Sequence, residues 1–138
     1  MFVVNDMEFL ARLGRCKILD QILIGHIITI SAIKQKDYTL LIEQQLRRYP
    51  TIQVLDQDED FPAWCVGKNR DLTAGDLSSV YIAMQQADCS LVISDEDLFL
   101  EPMARQCTVT CLSETEFLMH TTADPRLLQL YNLIKTAS

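Results

Sequence analysis

Residues 90–100 read SLVISDEDLFL. Leu91, Val92 and Ile93 form an apolar run without polar alternation, the pattern of a strand buried on both faces. Three carboxylates follow, Asp95, Glu96 and Asp97, and then Leu98, Phe99 and Leu100 resume the apolar character. A buried strand that runs into acids puts charge at the carboxyl edge of a parallel sheet, where ligands bind in open α/β folds.

The same alternation extends outward. FVVN (2–5), HIITI (26–30), TIQVL (51–55) and CTVTCL (107–112) read as further strands. Helical spacing predicts a helix over 6–13 stopped by Gly14, and a second over 16–23 ended by Gly25. Residues 31–49 read as one long helix with Arg47 and Arg48 in its last turn and Pro50 beyond it. Further helices are expected over 72–87, 95–105, 113–120 and 124–135, the last with Pro125 in its first turn. Strands alternating with helices imply a three-layer α/β/α sandwich around a mainly parallel sheet, with residues 1–138 as a single domain.

Composition narrows the class. Hydrophobic residues make up 49% of the 138 and charged residues 22%, as in an ordinary soluble protein. No apolar run approaches the ~20 residues that span a bilayer, and Met1 leads into no signal-peptide pattern, so no membrane association and a cytoplasmic location are expected. The five cysteines are scattered without a C-x-x-C pair, which argues against a disulfide framework or a zinc site and for buried thiols. His26 and His120 are the only histidines, and neither falls into a nucleophile–base set. A net charge of −7 disfavours a surface that grips nucleic acid throughout, while leaving room for a local basic patch. The GKNR turn, with Lys68 and Arg70, is the candidate for such phosphate contacts; the full glycine pattern of a phosphate loop is absent.

The acids admit two readings. Asp6 ends the first strand, Asp95 the fourth, Asp97 lies two residues on, and Asp76 opens the helix before the fourth strand. Carboxylates from such rigid positions suit a hard divalent cation, which would also relieve their mutual repulsion. Equally, Asn5 with Glu8, Thr73 with Asp76, Ser94 with Asp97 and Ser113 with Glu116 all have capping-box spacing. Capping accounts for Asp76 and Asp97 without a metal, and Asp6 and Asp95 would merely suit a helix dipole. Glu96 reads as a solvated charge.

The segment AGDLSSVYIAMQQADCSLVISDEDLFLEPMARQCTV resembles the carboxyl-terminal half of PIN-domain proteins, with an acid after glycine at a helix start, then a strand ending in aspartate and a further acid. VVNDMEFLARLGRCKILDQIL is similar to the family's opening, and IITISAIKQK to its second strand and following helix. The resemblance covers most of residues 2–112 and implies a PIN-like fold. It also implies a divalent-metal-dependent ribonuclease that uses Mg²⁺ or Mn²⁺ on single-stranded RNA. Asp6, Asp76, Asp95 and Asp97 would be the catalytic acids, with Asp6, Asp95 and Asp76 on the ion. Many such proteins are toxins of toxin–antitoxin pairs, so an antitoxin protein and a second copy of the chain join RNA as expected partners. The family's remaining acid falls near Lys36, with Asp37 beside it, and Met7 stands where Ser or Thr is common. Lys36 reads either as a solvated helix lysine or as an ammonium replacing a cation. The second option gives the alternative function, a catalytically degenerate PIN-like module that binds a protein or RNA partner without cutting it. A receiver-like signalling domain fits less well, because NDM lacks the acidic pair and CTVTCL the lysine that such a site needs.

Overall fold

The computed structural model describes residues 1–122 and 124–137. Five strands build one sheet: β1 (Phe2–Val4), β2 (Ile28–Ser31), β3 (Gln53–Leu55), β4 (Ser90–Ile93) and β5 (Thr110–Ser113). Their order is β3-β2-β1-β4-β5, and every neighbouring pair is parallel. The sheet is the central layer of a three-layer α/β/α sandwich.

Side-chain alternation along the strands sorts the core into two halves. Val4, Ile28, Ile30 and Val92 face one side, where they meet helices α1 (Met7–Arg15), α2 (Leu19–Gly25) and α4 (Thr39–Arg48). Val3, Leu91 and Ile93 face the other, against α5 (Phe61–Cys65) and α6 (Ala74–Gln85). Trp64 packs half-buried against Phe61 and Tyr81 on that second side. The central strands are closed on both faces, as their uninterrupted apolar sequence requires.

Three elements differ from the sequence reading. Helix α1 does not stop at Gly14 but runs through it. A Cβ there would lie 1.8 Å from Gln45 Oε1, so this glycine admits a close approach of α4 rather than ending a helix. The long helix over 31–49 is broken at Tyr38 into α3 (Ala32–Asp37) and α4. Thr39 Oγ1 donates to the carbonyls of Gln35 and Lys36, both at 3.0 Å, and this side-chain competition with the helix ladder sits at the break. The helix expected over 95–105 divides into a 3-10 turn (Asp95–Leu100) and α7 (Glu101–Gln106), with Pro102 in the first turn of α7.

The carboxyl-terminal segment supplies α8 (Glu114–Thr121) and α9 (Pro125–Ala137). Leu127, Leu128, Tyr131 and Ile134 of α9 pack onto the first core half. The cysteines are free thiols; Cys16 is buried and the other four are only half-buried. Burial pushes the Cys16, Cys65, Cys89 and Cys111 thiols up, Cys111 to about 11, so none of these four is poised as a nucleophile. No helix of the described residues is long and apolar enough to cross a membrane.

Candidate functional site

Strand order reverses around β1, because the chain goes from β1 to β2 on one side and later returns to β4 on the other. The carboxyl ends of β1 and β4 therefore form the switch point where an α/β sheet opens a crevice. Asn5 and Asp6 leave β1 there, and Ser94 and Asp95 leave β4. The Asn5 amide donates to the Val92 carbonyl at 3.1 Å and ties the two strand ends together.

The four sequence-selected acids divide between two adjoining clefts. Asp6 and Asp95 line one of about 360 Å³, with Glu8, Arg12, Ser94, Glu96, Glu114 and Lys135. Asp76 and Asp97 line the other, of about 480 Å³, with Lys34, Asp37, Tyr38, Thr73, Glu96 and Phe99. Glu96 borders both. Among the described residues, no three His, Cys, Asp or Glu side chains lie where they could hold one metal ion.

Asp6 is the N-cap of α1. One carboxylate oxygen accepts from the Glu8 amide at 2.8 Å and the Phe9 amide at 3.4 Å, which satisfies the open amides of the first helical turn. The cap thus falls on Asp6 rather than on Asn5. Asp95 is exposed at the start of the 3-10 turn.

Asp76 has a different environment. Its backbone amide is capped by Thr73 Oγ1 at 3.1 Å, as the spacing requires, but its carboxylate turns inward and is 4% exposed. There Oδ1 takes the Lys34 ammonium at 2.8 Å and the Asn5 side-chain amide at 3.1 Å. Burial alone would push this carboxyl up; the hydrogen bonds from Lys34 and Asn5 outweigh it and hold Asp76 below the ordinary carboxylate range.

Lys34, not Lys36, is the ammonium among the carboxylates. Lys36 is solvent-exposed, whereas Lys34 is buried in the first turn of α3. Ser31 fixes that register, since its Oγ accepts from the Ile33 and Lys34 amides and contacts Ser78 Oγ on α6. The lysine stem then crosses Gly75, where an added Cβ would lie 3.1 Å from Cε and 3.2 Å from Cδ. Its ammonium also stands 5.6 Å from the centre of the Tyr38 ring. Glycine immediately before the buried aspartate was the sequence signal for this crossing.

Asp97 is half-buried and closes a capping box with Ser94, whose amide approaches its Oδ2 at 3.5 Å. Burial pushes its carboxyl up and repulsion from Asp6 adds to that, against opposition from Asn5 and Lys34. An acid whose folded pKa exceeds its unfolded value of about 3.9 destabilises the fold once ionised. Stability is regained as pH falls through the raised folded pKa. Asp97→Asn is therefore expected to raise Tm at pH 7. The gain should vanish below about pH 4, where the wild-type carboxyl is protonated in both states. Thermal melts of both proteins at the two pH values check this, and a lower Tm at pH 7 would contradict it.

Lys68 and Arg70 sit in the loop before α6; the Lys68 ammonium lies 4.7 Å from the centre of the Trp64 ring.

The backbone is similar to that of a PilT N-terminus (PIN) domain protein from the hyperthermophilic archaeon Sulfolobus solfataricus P2. The TM-score is 0.63, with 90% of this chain and 96% of that one covered at 16% sequence identity. The chain has the PIN-domain fold. No family model matches it, and no curated protein matches its sequence.

Proposed function

We propose that this PIN fold serves as a metal-independent binding module for single-stranded RNA and does not cut it. The carrying observation is the buried ion pair in which Lys34 Nζ lies 2.8 Å from Asp76 Oδ1. The fold family generally works with Mg²⁺ or Mn²⁺, and the residues present here do not fit such an ion. Where a cation would be welcome, an ammonium is already covalently supplied. The strand-end side chain that faces Asp76 is a neutral amide, Asn5. One oxygen of Asp6 is committed to the cap of α1, and no third ligand joins any pair of acids among the described residues.

The electrostatics agree with that reading. A carboxylate cluster is tolerable when a positive charge stands among its members, and a lysine meets that need without coordination geometry. With Asp76 already paired to Lys34, that carboxylate is not free to hold an ion that would activate water or stabilise developing charge on a phosphate. On this reading the chain is not the toxin of a toxin–antitoxin pair, and RNA as the ligand rests on the fold.

The test combines cleavage with metal binding. Purified protein is incubated with mixed-sequence single-stranded RNA in EDTA, Mg²⁺ or Mn²⁺, and Mn²⁺ binding is measured by calorimetry. Wild type is expected to retain RNA, leave it intact and give no Mn²⁺ heat. The variant Asn5→Asp/Lys34→Glu restores two acids beside Asp76 and is expected to bind Mn²⁺. Metal-dependent cleavage by wild type that disappears in Asp76→Asn would overturn the proposal.

A further inference from the structure

A third cleft, of about 360 Å³, opens beside the Lys34–Asp76 pair, between the loop before α6 and the start of α7. Its lining includes Lys68, Asn69, Leu72, Phe99, Met103 and Gln106. Phe99 also lines the Asp76 cleft, so one aromatic ring forms the wall between the two.

Its chemistry differs from that of the acidic clefts. Lys68 is the one charged side chain in its lining, and neither Lys68 nor Arg70 has a carboxylate partner among the described residues. In a chain of net charge −7, the loop 67–71 carries two cations, Lys68 in the cleft lining and Arg70 two residues on, against one acid, Asp71. Phe99 is 51% exposed, although a phenyl ring gains by burial, while Leu72 and Met103 behind it are buried. Asn69 Oδ1 accepts from the Asp71 amide at 2.9 Å, which fixes the side chain and leaves its NH₂ free to donate. Gln106 is exposed and can donate or accept.

From these observations we infer that this cleft is a nucleotide subsite for single-stranded RNA. One base stacks on Phe99, Asn69 and Gln106 meet its polar edge, and Lys68 and Arg70 take the flanking phosphates. An exposed ring, a donor amide and unpaired cations together match a base joined to a phosphate. An acidic peptide would use the cations but not the stacking face. The inference rests on the RNA-binding reading and gives it a location in the cleft that adjoins the one lined by Asp76.

Binding of a short, labelled, mixed-sequence single-stranded RNA to the full chain, followed by fluorescence anisotropy, tests it. Phe99→Ala is expected to weaken binding about 5- to 150-fold, the range for loss of one base–aromatic stack, and Phe99→Trp to restore it. Lys68→Glu/Arg70→Glu should weaken binding as well. It should also reduce the salt dependence, since neutralising two phosphates gives a log–log slope of about −1.4. Near-UV circular dichroism of each variant verifies that the partly exposed positions are changed without unfolding. If wild type binds RNA and Phe99→Ala binds equally well, the subsite is wrong and the RNA-binding reading stands. If folded wild type binds no RNA at low salt, both fail. If polyglutamate displaces the RNA and Phe99→Ala leaves polyglutamate binding unchanged, the cleft is an acidic-peptide site and the inference is overturned.

Discussion

Lys34→Met is expected to destabilise the protein by about 3–5 kcal/mol, the usual cost of removing one partner from a buried ion pair. Both side chains are well shielded, at 9% exposure for Lys34 and 6% for Asp76, so solvent does little to screen the loss. Methionine replaces most of the lysine stem along Gly75, and the remaining effect is chiefly electrostatic. In the wild type Asp76 is held below its unfolded pKa of about 3.9. Its contribution to stability is therefore present above about pH 4 and is lost as pH falls through the folded value. Without the ammonium, burial acts on Asp76 with only Asn5 and the helix start to oppose it, and the folded pKa should rise. The sign then reverses: the variant's deficit is largest at neutral pH and shrinks as pH falls through that raised pKa. The double variant Lys34→Met/Asp76→Asn removes both charges and should recover most of the loss, because replacing a whole buried pair is often nearly neutral. Urea unfolding of the three proteins at pH 7 and pH 4.5 measures all of this. A deficit under 1 kcal/mol for Lys34→Met would show that the pair does not hold the site together.

This dependence on one lysine explains how far the sequence could be read. The sandwich was visible because Leu91–Ile93 and its counterparts are apolar without alternation, a pattern that parallel strands covered on both faces require. Asp6 and Asp95 emerge at the switch point for the same reason, since each lies just beyond a strand end. The direction of each side chain was not readable. Asp6 does two things at once: one carboxylate oxygen caps α1 through the Glu8 and Phe9 amides, and the side chain lines the cleft it shares with Asp95. Lys36 is the solvated helix lysine that one of its two readings describes, and the ammonium among the acids is Lys34, which the family resemblance does not single out; its position depends on Ser31, which ends β2 and caps α3. Once Ser31 is the cap, Lys34 is the third helical residue and faces α6, while Lys36 turns out to water. The break at Tyr38 was hidden for a related reason: Thr39 is an ordinary helix residue by spacing and a back-bonding one in place.

Glu114→Ala should produce a loss of similar size from the opposite side of the sheet, about 3–5 kcal/mol. Glu114 is 6% exposed at the start of α8 and connects three helices. It accepts from Tyr131 Oη on α9 at 2.6 Å and pairs with Lys135 on α9 at 3.2 Å and Arg12 on α1 at 3.5 Å. Burial and the neighbouring carboxylate push the Tyr131 phenol up, so it stays protonated and keeps donating. Alanine would leave the Arg12 guanidinium, with only 14% side-chain exposure, without its counter-charge, and the buried Tyr131 hydroxyl without an acceptor. Glu114→Gln keeps an acceptor for Tyr131 and should cost less. Because the lost contacts converge on α9, hydrogen exchange should accelerate there before it does in β1 or β4. Glu114, Arg12 and Lys135 also border the Asp6–Asp95 cleft, so loosening α9 changes that half of the acidic edge. The Phe99 cleft is backed by Leu72 and Met103 of the other core half. RNA affinity measured on folded Glu114→Ala should therefore match wild type despite the stability loss. A parallel fall in RNA affinity would place the ligand across the α9 side and against the Phe99 subsite.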